Sequence, residues 1–204
     1  MSKKVVIAFE GIEGSGKTFH INYVSNYLKK KKIDHIKLRE PGGSKNSEKI
    51  RKLILNKKSN FNKNTDLLLY LSSRSENIEY IKKFYKKKII LLDRFTDSTI
   101  AYQHYGMGVN LTILKKINSY LLKNFKVDFT FLYIVNTKNM KKKLEKRKKL
   151  NRYDKFKDKF YKKVQKGFLK IAKEKKRNYK VIDSNLPIKL NKKIIINKIN
   201  KIIK

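Results

Sequence analysis

The chain has 204 residues, no cysteine and a formal net charge of +38. This length suits one α/β domain with its own core, so residues 1–204 are expected to form a single domain. The lack of cysteine excludes disulfides and thiolate metal sites, and no apolar run reaches the roughly 18 residues of a membrane span. Residues 1–4 lead straight into an apolar segment. This leaves no room for a signal peptide and predicts a cytoplasmic protein.

The positive charge comes mostly from lysine. Arginine supplies only seven of the 54 basic residues, while Lys, Ile and Asn dominate the whole chain. Lysine in every segment indicates a compositional bias more than a specific nucleic-acid partner, although it favours weak, salt-sensitive binding to polyanions. In such a chain an arginine suggests a position that needs a planar, bidentate guanidinium. These positions are Arg39, Arg51, Arg74, Arg94, Arg147, Arg152 and Arg177.

A glycine-rich motif follows the first apolar segment, which is predicted to be a strand at residues 3–10. The motif fits the phosphate-binding loop pattern G-x-x-x-x-G-K-[ST]. Apolar residues then recur at helical spacing to about residue 32, so a strand leads into a glycine loop that opens a helix. Lys17 is expected to reach the β- and γ-phosphates of a nucleotide and Thr18 to bind Mg²⁺. The predicted ATP-binding loop comprises Gly11, Ile12, Glu13, Gly14, Ser15, Gly16, Lys17 and Thr18.

A second strand is predicted at residues 33–38, followed by Arg39 and Glu40 in a turn with one proline and two glycines. In open α/β sheets, ligands bind at the carboxyl ends of the strands. Glu40 is therefore a candidate ligand of the substrate, with a solvated turn carboxylate as the alternative.

Two helices are predicted next. A short amphipathic helix at residues 47–55 carries Arg51. The scarcity of arginine makes Arg51 a candidate functional residue, with a surface charge as the alternative. A long helix at residues 64–85 has an apolar first half, which is expected to be buried in the core or at an oligomer interface. Tyr70 and Arg74 are four residues apart and share a face of that helix, where an aromatic ring and a guanidinium could hold a base and its polar edge. The alternative reading of Tyr70 is an aromatic residue of the core.

The second strong motif is the end of a third predicted strand, at residues 89–94. Four branched apolar residues precede Asp93 and Arg94. Phosphoryl-transfer enzymes with this loop need a carboxylate at the tip of a neighbouring strand to orient Mg²⁺ or its waters, and Asp93 suits that role. Arg94 suits an acceptor phosphate. The alternative is a plain charge pair at a strand end.

The remaining chain predicts further helices and strands. In order, these are a helix at 98–103, a helix at 110–125, a strand at 129–135, a helix containing Met140 and Leu144, a helix with apolar positions from Phe156 to Phe168, a strand at 179–183 and a helix at 188–203.

The stretch at residues 138–163 is the most charged part of the chain, and the apolar helical pattern breaks within it. Arg147 and Arg152 lie there, five residues apart. A basic segment at about residues 146–156 is typical of a lid that closes over ATP phosphates and excludes water. A solvated linker between two helices is the alternative reading of the same pattern.

Taken together, these motifs resemble thymidylate kinase, over essentially the whole chain and in the family's order. The resemblance rests on the loop at residues 11–18, Arg-Glu-Pro-Gly-Gly at 39–43, Arg74, Asp-Arg-Phe at 93–95 and Ser-Thr-Ile-Ala-Tyr-Gln at 98–103. It implies transfer of the γ-phosphoryl group of ATP to dTMP with Mg²⁺, and a homodimer. Thr18 and Asp93 would be the metal ligands.

The resemblance also implies individual roles. Arg51 and Arg94 match ligands of the dTMP phosphate, Tyr70 matches the ring that stacks on thymine, and Tyr102 matches the residue that disfavours a ribose 2′-OH. The implied catalytic residues are Lys17, Asp93, Arg94, Arg147 and Arg152. The implied ligands of dTMP are Glu13, Glu40, Arg51, Tyr70, Arg74, Arg94, Ser98, Thr99, Tyr102 and Gln103.

The phosphate loop contains no arginine, which resembles the bacterial type of the family, in which the lid supplies that residue. Arg152 is the better match, so Arg152→Ala should lower kcat far more than it raises the KM for dTMP. Two features depart from the family: Met107 stands where relatives often have Arg, and the lid is rich in lysine.

The predicted fold is a three-layer α/β P-loop fold, with a five-stranded parallel sheet flanked by helices. Besides a dTMP kinase, two functions remain open at this stage: a P-loop kinase for another nucleotide, and a basic P-loop ATPase that binds nucleic acid. The pocket around Tyr70 and Arg74 would decide the first alternative, and ATP hydrolysis stimulated by nucleic acid would favour the second. The spread of lysine over all elements and the lack of an aromatic RNA-binding motif argue against it.

Overall fold

The computed structural model describes residues 4–146 and 151–204, apart from the side chain of Lys155. The strands are β1 Val6–Gly11, β2 His35–Arg39, β3 Ile89–Asp93, β4 Phe129–Ile134 and β5 Tyr179–Asp183. The α-helices are α1 Lys17–Lys30, α2 Lys45–Leu55, α3 Lys63–Lys82, α4 Thr96–Thr99, α5 Leu111–Leu122, α6 Thr137–Glu145, α7 Asp158–Glu174 and α8 Ile188–Ile202. A π-helical segment, Ile100–Gly106, continues α4, and short 3₁₀ turns occupy Arg152–Lys155 and Lys176–Asn178.

The five strands form one parallel sheet in the order β2-β3-β1-β4-β5. In this register Asp93 at the end of β3 lies beside Phe9 of β1 and Arg39 of β2. The carboxyl ends of the three strands that carry the predicted site residues therefore meet at one edge of the sheet. The predicted five-stranded parallel sheet is confirmed.

Helices cover both faces of the sheet, because alternate residues of a strand point to opposite faces. On β1, Ile7 and Phe9 belong to a core that includes residues of α1 and α8. Val6 and Ala8 belong to a core on the other face, which includes Ile78 of α3. The result is the three-layer arrangement expected from the sequence.

Several element boundaries differ from the predictions. Among the described residues β1 begins at Val6, and β2 begins at His35. The reason for the latter is that the Ile33 N–H donates to Leu28 O and closes the end of α1. In the apolar half of α3, Leu67 and Leu71 are buried, but Leu68 is 55% exposed. Packing within one subunit therefore buries only some of the apolar side chains in this half of α3.

In the part of the chain that the structure describes, every helix is too short or too polar to span a lipid bilayer.

Candidate active site

The loop between β1 and α1 is shaped by glycines with positive φ. Gly11 ends β1 with φ of +139°, and a Cβ there would lie 2.4 Å from the carbonyl oxygen of Tyr133 in β4. Glycine is required at this position because any side chain would collide with the neighbouring backbone. Gly14 and Gly16 have φ of +67° and +86°. A loop of this shape at a helix N-terminus offers its backbone N–H groups to a phosphate.

Lys17 is the first residue of α1, and its side chain folds back over the loop. The residue is 7% exposed, and its Nζ donates to Ile12 O at 3.2 Å. Burial and the positive charge of Arg94 lower the pKa of Lys17 to about 8, against the opposing effect of Asp93. The phosphates of a bound nucleotide would supply the negative charge that favours the protonated ammonium.

Asp93 lies beside the loop, as its position at the end of β3 predicted. The Thr18 hydroxyl donates to Asp93 Oδ2 at 2.8 Å. Hydroxyl and carboxylate oxygens suit Mg²⁺, which usually takes one or two protein oxygens and completes its shell with water and substrate phosphates. The pair therefore fits a Mg²⁺ site between the loop and the end of β3.

Arg94 joins the loop to the neighbouring pocket through a network of charged contacts. Its φ of +69° is unusual for a residue with a side chain. Its guanidinium donates to Gly11 O at 2.8 Å and to Glu13 Oε1 at 2.7 Å, while the Tyr102 hydroxyl donates to Glu13 Oε2. Burial alone would raise the pKa of Glu13, but the positive charges of Arg94 and Lys17 hold it below its usual value. Glu13 is therefore ionised and fixes the orientation of Arg94.

These side chains surround a cavity of about 180 Å³. Its walls come from the phosphate loop, the ends of β2 and β3, α2, α3 and the segment after residue 150. The lining residues are Glu13, Lys17, Thr18, Arg39, Glu40, Pro41, Arg51, Leu55, Tyr70, Asp93, Arg94, Asn151 and Tyr153. A larger cleft of about 700 Å³, bordered by Lys126 and Arg177, contains none of the predicted site residues.

Arg51 and Tyr70 also line this cavity. The Arg51 Nη1 donates to Pro41 O at 2.5 Å, which holds the guanidinium against the turn after β2. The ring of Tyr70 packs edge-on against Tyr153, with centroids 6.1 Å apart. The Arg51 guanidinium and the Tyr70 ring therefore line the same cavity as Arg94.

Arg74 is buried, and its guanidinium is held by protein partners. It is 1% exposed, and its Nε and Nη2 donate to Glu40 Oε2 at 2.9 and 2.6 Å. It also donates to Asn118 Oδ1 at 2.6 Å and to Thr99 Oγ1 at 2.8 Å. In this structure Arg74 supports the cavity wall through Glu40, and the bond to thymine stays a prediction.

Three more predicted ligands lie behind the cavity wall and not on it. Ser98 donates its hydroxyl to Glu10 Oε2 at 2.5 Å, Thr99 accepts from Arg74, and Gln103 donates to Asp66 Oδ2 at 3.1 Å. Gln103 and Thr99 are 0% and 2% exposed. The structure therefore places these side chains as supports of α4 and the π-helical segment.

Of the two predicted lid arginines, the structure describes Arg152, which does not line the cavity beside the phosphate loop. Arg152 forms an ion pair with Asp66, a residue that is 1% exposed and also accepts the Tyr153 hydroxyl at 2.7 Å. Asn151 and Tyr153, on either side of Arg152, line the cavity, whereas Arg152 does not. Arg147 lies outside the described residues.

Two buried carboxylates in this region were missed in the sequence. Glu10 and Asp66 are 0% and 1% exposed, and each accepts more than one hydrogen bond from neighbouring residues. A signal for both was present: Glu10 interrupts an apolar strand, and Asp66 directly precedes an apolar run. A carboxylate in such a place needs partners once it is buried.

The fold and the site define a P-loop kinase that acts on nucleoside monophosphates. The family model described as thymidylate kinase matches residues 9–195. The thymidylate kinase of Sulfurihydrogenibium sp. (strain YO3AOP1) is 39% identical over 198 residues, covering 96% of each chain. The thymidylate kinase of Acholeplasma laidlawii is 37% identical, covering 96% of this chain and 98% of the relative. The crystal structure of thymidylate kinase from Ehrlichia chaffeensis superposes with a TM-score of 0.78 at 30% identity, covering 96% and 98% of the two chains.

The chain belongs to the thymidylate kinase family, and it is an ATP-dependent kinase that phosphorylates dTMP to dTDP. The first of the three functions considered from the sequence is thus confirmed.

Proposed function

We propose that dTMP binds in the cavity between the phosphate loop and Tyr70, with its phosphate on Arg94 and Arg51 and its base against the Tyr70 ring. The observation that carries this proposal is the convergence of cationic side chains on one 180 Å³ cavity. ATP would lie on the other side of Arg94, with its phosphates on the loop amides and Lys17. The two phosphates that react would then meet at Glu13 and Arg94.

The proposed reaction needs no general base. The acceptor oxygen belongs to a phosphate monoester, whose second pKa is about 6, so it is largely dianionic near neutral pH. Catalysis then consists of aligning two phosphates and neutralising their charge. Lys17 and Arg94 supply positive charge, and the ionised Glu13 orients Arg94 through the 2.7 Å contact. The histidines need no role in this scheme.

We propose that Thr18 and Asp93 hold Mg²⁺ when ATP is bound. Held by these two side chains, Mg²⁺ would supply positive charge that offsets the negative charge of the ATP phosphates. The 2.8 Å contact between Thr18 Oγ1 and Asp93 Oδ2 supports this assignment, since it places two suitable oxygens side by side.

Asp93→Asn is expected to raise the Mg²⁺ concentration that gives half-maximal activity, because the amide oxygen carries no net charge toward the cation. The KM for dTMP should change little. Initial rates over a Mg²⁺ titration, at a fixed ATP concentration, measure this. A variant with the wild-type Mg²⁺ requirement would remove Asp93 from the metal site. Glu76→Gln, on the exposed surface of α3, is the matched control for the loss of one carboxylate.

We propose that Arg147 and Arg152 belong to a lid, about residues 146–156, and that Arg152 leaves Asp66 when both substrates are bound. The positions of Asn151 and Tyr153 in the cavity wall support this, since they bring the adjacent chain to the site.

We also propose that Arg74 and Tyr102 set the choice of base and sugar, with Ser98, Thr99 and Gln103 holding the wall behind them.

A homodimer through α3 and a cytoplasmic location complete the proposal. Leu68 on α3 is 55% exposed, and Ile113 on the contacting helix α5 is 54% exposed. Both would lose water contact in a dimer, which supports association through these helices.

The experiment that tests the proposed site is ADP release from Mg·ATP with dTMP, dUMP, dCMP, dGMP or UMP, or with no acceptor. Release should depend on dTMP, be weaker with dUMP and be negligible with UMP. A Tyr102→Phe variant should still turn over dTMP at a measurable rate. Its rate with UMP is the measurement that is most sensitive to a change in sugar selection. Equal rates with dTMP and UMP in the wild type would refute the assigned pocket. ADP release that requires single-stranded DNA instead of an acceptor would overturn the kinase site altogether.

A further inference from the structure

Glu10 is a buried carboxylate that the reaction described above does not use. It lies in β1 just before Gly11 and is 0% exposed. Alternation along the strand puts it on the same face as Val6 and Ala8, beneath α4. It does not line the cavity.

Glu10 accepts hydrogen bonds from Phe95, in the turn after β3, and from Ser98 of α4. Its Oε1 accepts the Phe95 N–H at 2.8 Å and the Ser98 N–H at 3.3 Å, and its Oε2 accepts the Ser98 hydroxyl at 2.5 Å. The Ser98 Oγ in turn accepts from Arg94 Nη1 at 3.1 Å. A continuous chain of hydrogen bonds therefore runs from Glu10 through Ser98 to Arg94.

Arg94 needs such support because of its backbone. A φ of +69° is unfavourable for a residue with a side chain, and it persists only where the surroundings impose it. Glu10 fixes the N–H groups of Phe95 and Ser98, so the residues that follow Arg94 cannot relax to a different turn. The Ser98 hydroxyl, committed as a donor to Glu10, presents a lone pair to the guanidinium.

Burial of the ionised Glu10 carboxylate lowers the stability of the folded state. Burial and the negative charge of Asp97 raise the pKa of Glu10 to about 7, against the effect of Arg94. Its pKa in the unfolded chain is near 4.5. Between these values the folded state binds more protons at Glu10 than the unfolded chain does, so this group's contribution to stability falls as pH rises from 4.5 to 7.

The other charged groups near Glu10 are Lys17 on the loop side and, beyond Asp97, Lys175 at the end of α7, which pairs with Asp97 at 3.1 Å. A carboxylate buried at this cost in stability points to a role in activity.

We propose that Glu10 is a positioning residue for the dTMP phosphate, acting through Ser98 and the turn after β3 to hold the guanidinium of Arg94. This inference rests on the proposed role of Arg94 as the ligand of that phosphate. Glu10 itself touches neither substrate.

The test is Glu10→Gln, a change of one atom. The amide oxygen can still accept the two backbone N–H groups, but the amide nitrogen cannot accept the Ser98 hydroxyl. We expect kcat/KM for dTMP to fall by about 10- to 100-fold, since a small misplacement of a positioning group has effects of this order. The KM for ATP should stay within about twofold. Ser98→Ala should change the same parameter in the same direction, and Glu79→Gln, at an exposed carboxylate on α3, should leave it unchanged.

The pH profile gives a readout that a purely structural role would not move. Wild-type kcat/KM for dTMP should lose activity on the acid side with two ionisations, one near pH 7 from Glu10 and one near 6 from the dTMP phosphate. Glu10→Gln should keep only the second. Asp97→Asn removes the neighbouring negative charge and should shift the first ionisation to lower pH.

Two outcomes would overturn the proposal. The first is a Glu10→Gln enzyme with wild-type dTMP kinetics and pH profile. The second is a Glu10→Gln substitution that lowers kcat/KM for dTMP as much in the Arg94→Ala variant as in the wild type. A residue that acts through Arg94 should have no further effect once Arg94 is gone. Failure of the proposed role of Arg94 is distinguishable, since Arg94→Ala alone would then leave dTMP kinetics unchanged. If Glu10→Gln does not fold, as judged by thermal unfolding, Glu10→Asp is the second variant. It keeps the charge but lengthens the distance from the carboxylate to Ser98, so it tests the same series of hydrogen bonds.

Discussion

Arg152→Ala is expected to lower kcat by about 10³-fold or more, with a small change in the KM for dTMP. An arginine that closes on a transferring phosphoryl group is worth about 10³–10⁵ in rate in related systems. The phosphate loop of this chain contains no arginine, so this charge has to come from elsewhere. Steady-state kinetics with varied dTMP at saturating Mg·ATP measure both parameters.

The same substitution is expected to destabilise the fold. Arg152 pairs with Asp66, and the two side chains are 12% and 1% exposed. Removing one partner of a buried pair leaves an uncompensated charge, which costs about 3–5 kcal/mol. The Tyr153 hydroxyl and Gln103 would remain as hydrogen-bond donors to Asp66 and reduce this loss. Denaturant unfolding of the variant measures the stability change.

A double variant separates the two effects. Asp66→Asn removes the buried charge, so Asp66→Asn with Arg152→Ala should recover part of the lost stability. If Arg152 acts on the phosphates, kcat of the double variant stays as low as that of Arg152→Ala. Recovery of wild-type kcat in the double variant would show that Arg152 only anchors the segment after residue 150, and would exclude it from the chemistry.

Arg94→Ala is the second large effect: kcat/KM for dTMP should fall by about 10²–10³-fold, the usual range for removing one preorganised donor from a charged transition state. Arg94 contacts the phosphate loop at Gly11 O and also Glu13, so it links the donor side of the site to the acceptor side. Without Arg94, the negative charge of Glu13 would face the acceptor phosphate, and Lys17 would remain as the other cation that lowers the pKa of Glu13. The KM for ATP should change less than that for dTMP.

Two controls define what Arg94 contributes. Arg94→Lys keeps a positive charge but cannot bond Gly11 and Glu13 through a planar fork, so its activity should lie between those of the wild type and Arg94→Ala. Arg177→Ala removes the same charge at an exposed residue outside the site and should leave kinetics unchanged. Wild-type kcat/KM in Arg94→Ala, with a normal thermal unfolding curve, would contradict the assignment of the phosphate site.

Local sequence patterns were sufficient to predict the fold and the phosphate loop. A buried strand, glycines at fixed spacing and a following helix are neighbours in the chain, and their geometry depends on residues a few positions apart. Asp93 was also predictable, because parallel strands bring their carboxyl ends to one edge. The structure places it beside Thr18, as this rule requires.

The sequence by itself therefore determined the family and the parallel sheet, and it predicted which residues take part in phosphoryl transfer. Only the tertiary structure decided which partners those residues take. Arg74 bonds Glu40, 34 positions away, and Arg152 bonds Asp66, 86 positions away. Glu10 supports a turn that follows it by 85 residues. Such pairs arise because burial forces each charged group to find a partner within hydrogen-bond distance, and the helix and strand packing decides which one is near. Periodicity and motif spacing carry no information about that choice.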